Sequence, residues 1–375
     1  MRIILTGGGS GGHIFPLIAV VRKLRVLAHE RGIENITFLY VGPRFDAISE
    51  EVFKREGISW RYVLSSKLRR YMSHANILDA FKFPFALLHA LWVLFWNMPD
   101  AVFSKGGYGS FPVMFSSWVY RIPSRVIHES DSTPGVANMM AAIFAKRIGT
   151  AFKSAVLGFP IEKTAVVGLP VREDLCGQDP KRARLFFNIA SNRKVVLVMG
   201  GSQGARAINE AIALVAPKLL AVYEVIHVSG PGNYEMLKAE LTSVLESPVG
   251  AYYHLYPFLT EEIKFAYALA DVVVSRAGAS SIFEIASCGK PSILVPLKGS
   301  AQDHQRRNAY EYAKTGSTIL IEEDNLTPNL LFSTIASILD SKETADKMAS
   351  SATPFAVRNS AELIAKEILA LRGVL

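Results

Sequence analysis

The chain has 375 residues, half of them apolar, and this length and composition favour two domains of roughly 150 to 200 residues each and exclude a disordered or fibrous protein. The formal net charge of +8 favours an anionic partner, either the phosphates of a substrate or acidic lipid headgroups. Nucleic acid is the weakest such partner, because the basic residues are dispersed and form no recognition-helix or aromatic-basic pattern.

The chain opens with an apolar strand, a glycine loop and a helix. Residues 2–6 predict a buried strand, residues 7–12 are five glycines and one serine, and residues 14–30 have a helical pattern. Further strand-like runs in the first half cover residues 36–41, 101–104, 126–128 and 165–167. The opening strand is too short for the apolar region of a signal peptide, so we expect the protein on the cytoplasmic side of the membrane.

The same order recurs in the second half. Residues 194–199 predict a strand, 200–204 a glycine loop and 205–223 a helix, and further strand-like runs cover 225–229, 272–275, 292–295 and 318–321. Strands that alternate with helices predict right-handed βαβ units and parallel sheets. We therefore predict an α/β fold of two Rossmann-like, doubly wound domains with an interdomain cleft. Their predicted bounds are 1–162 and 163–352, and 353–375 is predicted as a terminal helix that can return to the first domain.

The two cysteines, Cys176 and Cys288, lie far apart and in no metal-ligand spacing such as Cys-x-x-Cys. We therefore expect no disulfide framework, as in a protein of a reducing compartment. No Asp-x-Asp metal signature is present either. The sequence thus predicts neither a metal site nor a cofactor.

Three glycine-rich loops, over residues 7–12, 106–109 and 200–204, carry the first functional signal. In such loops backbone N–H groups converge on an anion at a helix N-terminus, and phosphate is the usual occupant. The first loop matches Gly-x-Gly-x-x-Gly, but the next strand ends in Tyr-Val-Gly-Pro-Arg, without the acid that a dinucleotide-binding dehydrogenase needs. Neither main loop ends in the Gly-Lys-Ser/Thr of a Walker motif. Tight turns alone are a weaker explanation for three such loops.

Two side chains beside these loops are candidates for chemistry. His13 follows the first loop directly, where a histidine can act as a base or donate to phosphate, with helix capping as the alternative. Glu284 lies one turn into the helix that follows Arg276-Ala277-Gly278, where a carboxylate can accept two ribose hydroxyl groups. The alternative for Glu284 is a carboxylate that only stabilises the helix dipole.

An ordered set of motifs accompanies these residues. In chain order it comprises the segments 8–16, 105–108, 128–129, 134–138, 200–206, 275–279 and 303–305. With this set the chain resembles the MurG family, the N-acetylglucosaminyltransferases of peptidoglycan synthesis in glycosyltransferase family 28. Each glycine loop alone is weak evidence for the family, but the ordered set of motifs is highly specific and spans nearly the whole chain. The resemblance implies the GT-B architecture, UDP-N-acetylglucosamine (UDP-GlcNAc) as donor and lipid I as acceptor.

The resemblance also implies which residues form the site. The donor-binding residues would be Arg172, Ser202, Gln203, Asn209, Phe258, Leu259, Ala279, Glu284 and Gln305. The acceptor-binding residues would be Ser10, Gly11, Gly12, Gly106, Gly107, Tyr108, His128, Asp131 and Asn138. The base would be His13, with Glu129 as its rival. Ser130-Asp131 stands where Gln-Asn is common in the family, and a carboxylate there would repel a diphosphate unless it faced a sugar hydroxyl or the peptide.

The implied reaction is an inverting displacement. The C4 hydroxyl of the N-acetylmuramoyl (MurNAc) sugar of lipid I attacks the anomeric carbon of UDP-GlcNAc, and lipid II is the product. The loop at Ser202 and the helix N-terminus over 278–281 would stabilise the departing diphosphate without a metal ion.

An aromatic stretch over residues 81–96 suggests contact with a membrane. It is too short and too interrupted by Lys82, Pro84 and His89 to span a bilayer, but large apolar groups flanked by cations fit the surface of anionic lipid. The predicted membrane residues are Lys67, Arg69, Arg70, Ile77, Leu78, Phe81 and Phe85. Most of 87–94 is expected to be core, and the alternative is that the whole stretch is a buried helix.

The expected protein is thus a peripheral enzyme on the cytoplasmic face of the cell membrane, with cell-wall synthesis and division proteins as further partners and no nucleic acid. Three alternatives stay open because fold alone does not separate them. They are a glycolipid synthase that uses diacylglycerol, a UDP-sugar epimerase, and a nucleotide-sugar-binding scaffold without catalysis.

Overall fold

The computed structural model describes residues 1–9, 11–64, 74–201 and 204–374, with the side chains of 74–81 excepted. Its contacts divide the chain into two compact units. The first unit comprises Met1–Arg172 together with Arg358–Leu375, and the second comprises Glu173–Val357.

Each unit is built on one parallel sheet. The strands of the first unit are β1 (Arg2–Thr6), β2 (Thr37–Gly42), β3 (Ser59–Tyr62), β4 (Ala101–Ser104), β5 (Ser124–Glu129), β6 (Arg147–Thr150) and β7 (Thr164–Val166), in the order β3-β2-β1-β4-β5-β6-β7. Those of the second unit are β8 (Val195–Met199), β9 (Glu224–Val228), β10 (Tyr253–Tyr256), β11 (Ala270–Ser275), β12 (Ser292–Leu294) and β13 (Thr318–Leu320), in the order β10-β9-β8-β11-β12-β13. In each sheet the first strand of the unit, β1 or β8, lies near the centre, and the later strands extend the sheet on both sides of it. This is the doubly wound arrangement, so the predicted class of two doubly wound α/β domains is confirmed.

Helices connect the strands. The described α-helices are α1 (Gly11–Glu30), α2 (Ala47–Arg55), α3 (His74–Asn97), α4 (Ser110–Val119), α5 (Val136–Ala141), α6 (Pro180–Phe187), α7 (Arg206–Val222), α8 (Tyr234–Glu240), α9 (Thr242–Leu245), α10 (Ile263–Leu269), α11 (Ala279–Ser287), α12 (His304–Ala313), α13 (Pro328–Leu339), α14 (Lys342–Ala352) and α15 (Ser360–Ala370). Several begin at side-chain caps: Asp179 accepts from the N–H of Lys181, and Thr327 from that of Leu330. Such caps satisfy the N–H groups that a helix N-terminus leaves unpaired.

The sequence pattern misses three strands. β3 and β10 lie at the outer edges of their sheets, and their residues, Ser-Trp-Arg-Tyr and Tyr-His-Leu-Tyr, carry polar groups that hide a strand signal. β6, Arg-Ile-Gly-Thr, contains a glycine, which lowers strand propensity. All three are held in place by hydrogen bonds to a neighbouring strand, which a local pattern does not reveal.

The terminal helix α15 packs on the first unit. Its buried residues Ile364 and Ile368 lie in one apolar cluster with Leu17 and Val21 of α1, and Glu367 forms an ion pair with Arg147 at 2.8 Å. The sequence placed the junction between the domains at 162/163, whereas the contacts divide the chain at 172/173, because β7 completes the first sheet.

The expectation of no disulfide is wrong. Cys176 and Cys288 are joined to each other, 112 residues apart in sequence and both within the second unit. Cys176 follows the short 3-10 helix Glu173–Leu175, and Cys288 caps the carboxyl end of α11. The spacing of two cysteines carries no information about their pairing when the fold brings distant segments together.

The helix α3 exposes more aromatic surface than the sequence predicts. Ala90, Val93 and Leu94 are buried, but Leu88 and Trp92 of the expected core stretch are exposed. Phe85 is exposed as predicted. The other predicted membrane residues, Lys67, Arg69, Arg70, Ile77, Leu78 and Phe81, lie outside the described residues or have side chains outside them. Within the described part of the chain, no helix has the length and apolar character needed to cross a membrane.

Candidate active site

Two glycine loops of the first unit lie against each other at the carboxyl edge of its sheet. A Cβ on Gly107 would lie 2.9 Å from the backbone nitrogen of Gly8, and one on Gly106 would lie 2.5 Å from the amide nitrogen of Asn138. Both residues also have positive φ angles, 78° at Gly106 and 89° at Gly107. Only glycine satisfies both conditions, so these loops bring α1, α4 and α5 to one place.

His13 lies in the first turn of α1, beside this junction. Its ring Nδ1 is 3.2 Å from the backbone carbonyl oxygen of Lys105. A carbonyl oxygen can only accept, so Nδ1 carries the proton and Nε2 carries the lone pair in the neutral ring. Burial, and after it the charge of Lys105, lowers the pKa of His13, although Asp131 acts in the opposite direction. The imidazole is thus neutral at neutral pH, with a basic nitrogen beside the glycine loops.

The residue that accepts this hydrogen bond, Lys105, is itself buried. The Lys105 ammonium is 1% exposed and donates to Nδ1 of His128 at 2.6 Å and to the hydroxyl of Ser130 at 2.7 Å. The other ring nitrogen of His128 donates to the carbonyl of Gly168 at 2.7 Å. Both nitrogens of His128 are therefore engaged within the protein, and its side chain has no exposed surface. His128, expected to face the acceptor, instead holds the lysine.

Glu129 is also engaged by its own loop. Its carboxylate accepts the N–H groups of Asp131 at 3.0 Å and Gly135 at 2.9 Å, and the amide of Asn138 at 2.9 Å. Burial, and then the charge of Asp131, raises the pKa of Glu129, against the opposing effect of these hydrogen bonds. The carboxylate is 4% exposed. Its geometry is that of a group that fixes the loop over 130–138.

The structure brings most of the predicted acceptor residues to this edge. Gly106, Gly107, Asn138 and the two histidines meet there through the contacts above, and Gly11 begins α1 two residues before His13. Gly12 is exposed, and Tyr108 and Asp131 are partly exposed, so these three are accessible to a ligand. Ser10 lies outside the described residues.

The second unit has a corresponding glycine loop after β8. A Cβ on Gly204 would lie 2.2 Å from the carbonyl oxygen of Ser229, so the loop lies directly against the end of β9. Asn209 fixes that strand end, because its amide donates to the same carbonyl at 3.0 Å while its oxygen accepts from Nε2 of His227 at 3.0 Å. Asn209, predicted to contact the donor, is 3% exposed and instead holds the end of β9 on which the glycine loop packs.

The helix N-terminus of α11 forms the neighbouring part of the site. Gly278 caps it in an extended conformation without a side-chain hydrogen bond, and Ala279 begins the helix. Glu284 follows one turn later, partly exposed, with one carboxylate oxygen 3.1 Å from the hydroxyl of Tyr267. The helix dipole favours an anion at this end, as a diphosphate site requires.

Arg276, next to that helix, anchors a further loop. Its buried guanidinium donates to the carbonyls of Val295 and Pro296 and to Glu323, at 3.3, 3.4 and 2.9 Å. The second carboxylate oxygen of Glu323 accepts the N–H of Lys298 at 2.8 Å. Burial acts to raise the pKa of Glu323, but the bonds from Arg276 and Lys298 outweigh it and lower that pKa. An ion pair thus fixes residues 295–298 beyond the end of β12.

The segment before α12 has an unusual backbone. Gln302 and Asp303 both adopt left-handed conformations, with φ of 57° and 56°, which cost energy for non-glycine residues and cluster at ligand sites. Gln305 follows, and its side-chain oxygen accepts the N–H of Leu297 at 3.0 Å. Its amide N–H groups point away from this bond and are the donors that it can offer a sugar.

The remaining predicted donor residues are more dispersed. Phe258 is partly exposed and Leu259 is buried, in the segment after β10. Arg172 is the last residue of the first unit, where its guanidinium carbon lies 5.9 Å from the ring centre of Phe15. Ser202 and Gln203 lie outside the described residues. Among the described residues, no group of three His, Cys, Asp or Glu side chains could hold a metal ion.

Lys105 and Arg276 lie in the predicted motifs, but neither is assigned a role from the sequence, and Glu323 is not predicted at all. The sequence did contain a signal for a role of Lys105 and Arg276. Each is a single cation directly after an apolar strand, and doubly wound sheets bind their ligands at that edge. Glu323 had no such signal, since it follows β13 and meets Arg276 only through the fold.

Two family models match the chain. The glycosyltransferase family 28 N-terminal domain matches residues 3–150, and the glycosyltransferase family 28 C-terminal domain matches residues 195–368. A Clostridium perfringens protein named UDP-N-acetylglucosamine--N-acetylmuramyl-(pentapeptide) pyrophosphoryl-undecaprenol N-acetylglucosamine transferase is 37% identical over 343 residues, or 91% of each chain.

Solved structures share the fold. The crystal structure of Acinetobacter baumannii MurG has a TM-score of 0.72 at 24% identity, covering 98% of this chain and 99% of that one. A UDP-GlcNAc 2-epimerase from Neisseria meningitidis, solved with UDP-GlcNAc bound, has a TM-score of 0.66 at 15% identity, covering 99% and 100%. These likenesses confirm the predicted GT-B-like fold, which transferases and epimerases have in common.

Proposed function

Because the chain belongs to glycosyltransferase family 28, we propose that it transfers N-acetylglucosamine from UDP-GlcNAc to the C4 hydroxyl of the MurNAc sugar of lipid I, with inversion, and so forms lipid II. The name of the Clostridium perfringens relative gives the same donor and the same lipid-linked acceptor. The chain is thus a hexosyltransferase of peptidoglycan synthesis. The observation in the chain itself that carries the proposal is a neutral histidine beside paired glycine loops.

His13 acts as the general base. Nδ1 is held as a donor by the carbonyl of Lys105, so Nε2 can accept the proton of the attacking C4 hydroxyl. Glu129 is the weaker candidate, because its carboxylate is buried and already accepts three hydrogen bonds from its own loop. Its role is to hold Asn138 and the loop that borders the acceptor. These contacts support His13 rather than Glu129 as the base.

The second unit binds the donor and receives the leaving group. As negative charge grows on the departing UDP, the N-terminus of α11 offers backbone N–H groups and the positive end of the helix dipole. Glu284 accepts hydrogen bonds from hydroxyl groups of the ribose, and the side-chain amide of Gln305 donates hydrogen bonds to the sugar. These groups are fixed before the reaction, so they need little reorganisation in the transition state.

Transfer of label tests this function directly. The full chain is incubated with radiolabelled UDP-GlcNAc and lipid I, and label in the lipid phase is measured. We expect label in lipid II and none when diacylglycerol replaces lipid I. Transfer to diacylglycerol would indicate a glycolipid synthase, conversion of free UDP-GlcNAc without acceptor an epimerase, and donor binding with no turnover a scaffold. Each of these results would contradict the proposal.

We also propose that the enzyme binds the cytoplasmic face of the cell membrane through the first unit. Five large side chains on α3 are more than half exposed at helical spacing: Phe85, Leu88, Trp92, Phe95 and Trp96. The ring of Phe95 lies 6.4 Å from that of Tyr120, just beyond α4. Near that end of α4, a depression of about 640 Å³ is lined by Trp118, Arg121, Pro123, Arg125, Lys146, Arg147 and Leu371. A surface of this kind suits an anionic membrane, because the apolar side chains can enter the lipid interface and the cations can bind the headgroups.

Replacing Trp92 and Trp96 by serine tests the membrane surface. Their side chains are 63% and 65% exposed, so the folded protein should tolerate the change. We expect binding to phosphatidylglycerol vesicles to weaken about tenfold or more, since two large apolar groups no longer enter the lipid interface. Sedimentation with vesicles measures it. Leu214→Ser, at a position of the second unit that is 74% exposed, is the control. Equal binding by both variants and the wild type would refute the membrane surface.

A further inference from the structure

Lys105 is connected to His13 through its backbone carbonyl and through its side-chain ammonium. Its carbonyl oxygen accepts from Nδ1 of His13, and its buried ammonium is held below the same loop by His128 and Ser130. The backbone on either side is fixed, because the N–H of Lys105 donates to the carbonyl of Thr6 at 2.8 Å and that of Gly106 to the hydroxyl of Ser104 at 3.1 Å. The carbonyl and the ammonium are therefore both placed by contacts independent of any substrate.

We propose that Lys105 is the positioning residue of this active site: its carbonyl selects the histidine tautomer, and its buried positive charge keeps His13 unprotonated and able to act as a base. This proposal rests on the role of His13 in the proposed function. The ammonium does not touch the reacting atoms. It acts through His13, because a neighbouring positive charge disfavours a second one in a partly buried site.

The charged groups around the pair act in both directions. Two charges act on His13 in opposite directions, because the Lys105 ammonium lowers its pKa and the Asp131 carboxylate raises it. Burial lowers the pKa of Lys105 to about 7, against the opposing effect of the carboxylates of Glu129 and Asp131. Lys105 is therefore mostly charged below pH 7, the range in which an ordinary histidine takes up its proton. The neutral His128 ring accepts from the ammonium and adds no charge. Lys105 therefore also balances Asp131, whose carboxylate alone would promote protonation of His13.

Lys105→Gln separates the two roles. The substitution removes the charge but leaves the backbone carbonyl, and its amide can still donate to His128 or Ser130. We expect His13 to take up its proton at a higher pH in Lys105→Gln than in the wild type. Asp131→Asn should move the titration to lower pH, because it removes the opposing charge. Lys146→Gln removes an exposed positive charge at the amino end of β6 and should leave His13 unchanged.

The titration is measured by NMR on the full chain labelled at the histidine Cε1 carbons, with His13→Gln identifying the signal. If Lys105→Gln does not fold, Lys105→Met, which fills the same space with an apolar chain, takes its place. An unchanged His13 titration in a folded Lys105 variant would overturn the proposal. An equal shift in Lys146→Gln would also overturn it, since any positive charge would then suffice.

Activity gives a second readout. In the Lys105 variant, kcat measured at pH 6 should fall about threefold or more relative to its own plateau at high pH, while the wild type changes less, because a larger fraction of His13 is protonated. An unaltered acid limb of the kcat profile would contradict this role. The NMR titration needs no substrate, so failure of transfer to lipid I would overturn the proposed function and leave the titration result standing.

Discussion

Replacing His13 by alanine is expected to lower kcat by roughly a hundredfold or more while the affinity for UDP-GlcNAc stays within about twofold of the wild type. The reason is geometric. Nε2 of the neutral ring is the basic nitrogen beside the loops at Gly8 and Gly107, whereas Glu284 and Gln305, which are proposed to hold the donor, belong to the other unit. Steady-state kinetics with lipid I give kcat, and calorimetry with UDP-GlcNAc gives the donor affinity.

Glu129→Gln is the matched control for the base. The amide keeps the size of the carboxylate but can accept only through one oxygen, so the three bonds to residues 131, 135 and 138 cannot all persist. We expect mainly a higher KM for lipid I, because the loop over 130–138 is less fixed. A near-normal kcat in His13→Ala, combined with a loss of a hundredfold in Glu129→Gln, would assign the base to Glu129 instead.

Replacing Glu284 by alanine is expected to weaken UDP-GlcNAc binding by about a hundredfold. A charged acceptor contributes roughly 1.5–3 kcal/mol to each hydrogen bond, and loss of two ribose bonds corresponds to at least that factor. The carboxylate lies one turn after the N-terminus of α11, where a diphosphate and its ribose would lie together. Calorimetric titration with UDP-GlcNAc measures the change.

Two comparisons make the Glu284 test specific for ribose. The alanine variant should bind UDP and 2′,3′-dideoxy-UDP equally, whereas the wild type should prefer UDP. Tyr267→Phe removes the hydroxyl that lies 3.1 Å from the Glu284 carboxylate but leaves the carboxylate itself, so donor binding should change little. If the alanine variant still distinguishes the two nucleotides as well as the wild type does, Glu284 has no ribose contact.

The local sequence determined most of the core strands and the position of the site. Buried parallel strands are apolar throughout, so β1, β4, β8 and β11 stand out from the residues around them. Each of these strands ends at a loop with glycine or a polar group, and the carboxyl ends of parallel strands lie at one edge of a sheet. The meeting of the two glycine loops at Gly8 and Gly107 follows from that rule.

The roles of individual site residues could not be read from the same pattern. His128 belongs to a motif that indicates a ligand site, and Asn209 follows the motif over 200–206, yet both are buried and support other groups. A motif gives the position of a residue along the strand and loop, whereas burial depends on the elements that cover it. The pairing of Cys176 with Cys288 and the exposure of Trp92 depend on tertiary contacts for the same reason.

A crystal structure of the full chain soaked with UDP tests the central claim most directly, which is that the two glycine-loop regions divide the substrates between them. We predict the nucleotide in the unit Glu173–Val357, with its diphosphate between the loop at Gly204 and the N-terminus of α11 and its ribose on Glu284. A nucleotide bound instead beside His13, at the loops of the first unit, would contradict the assignment of donor and acceptor.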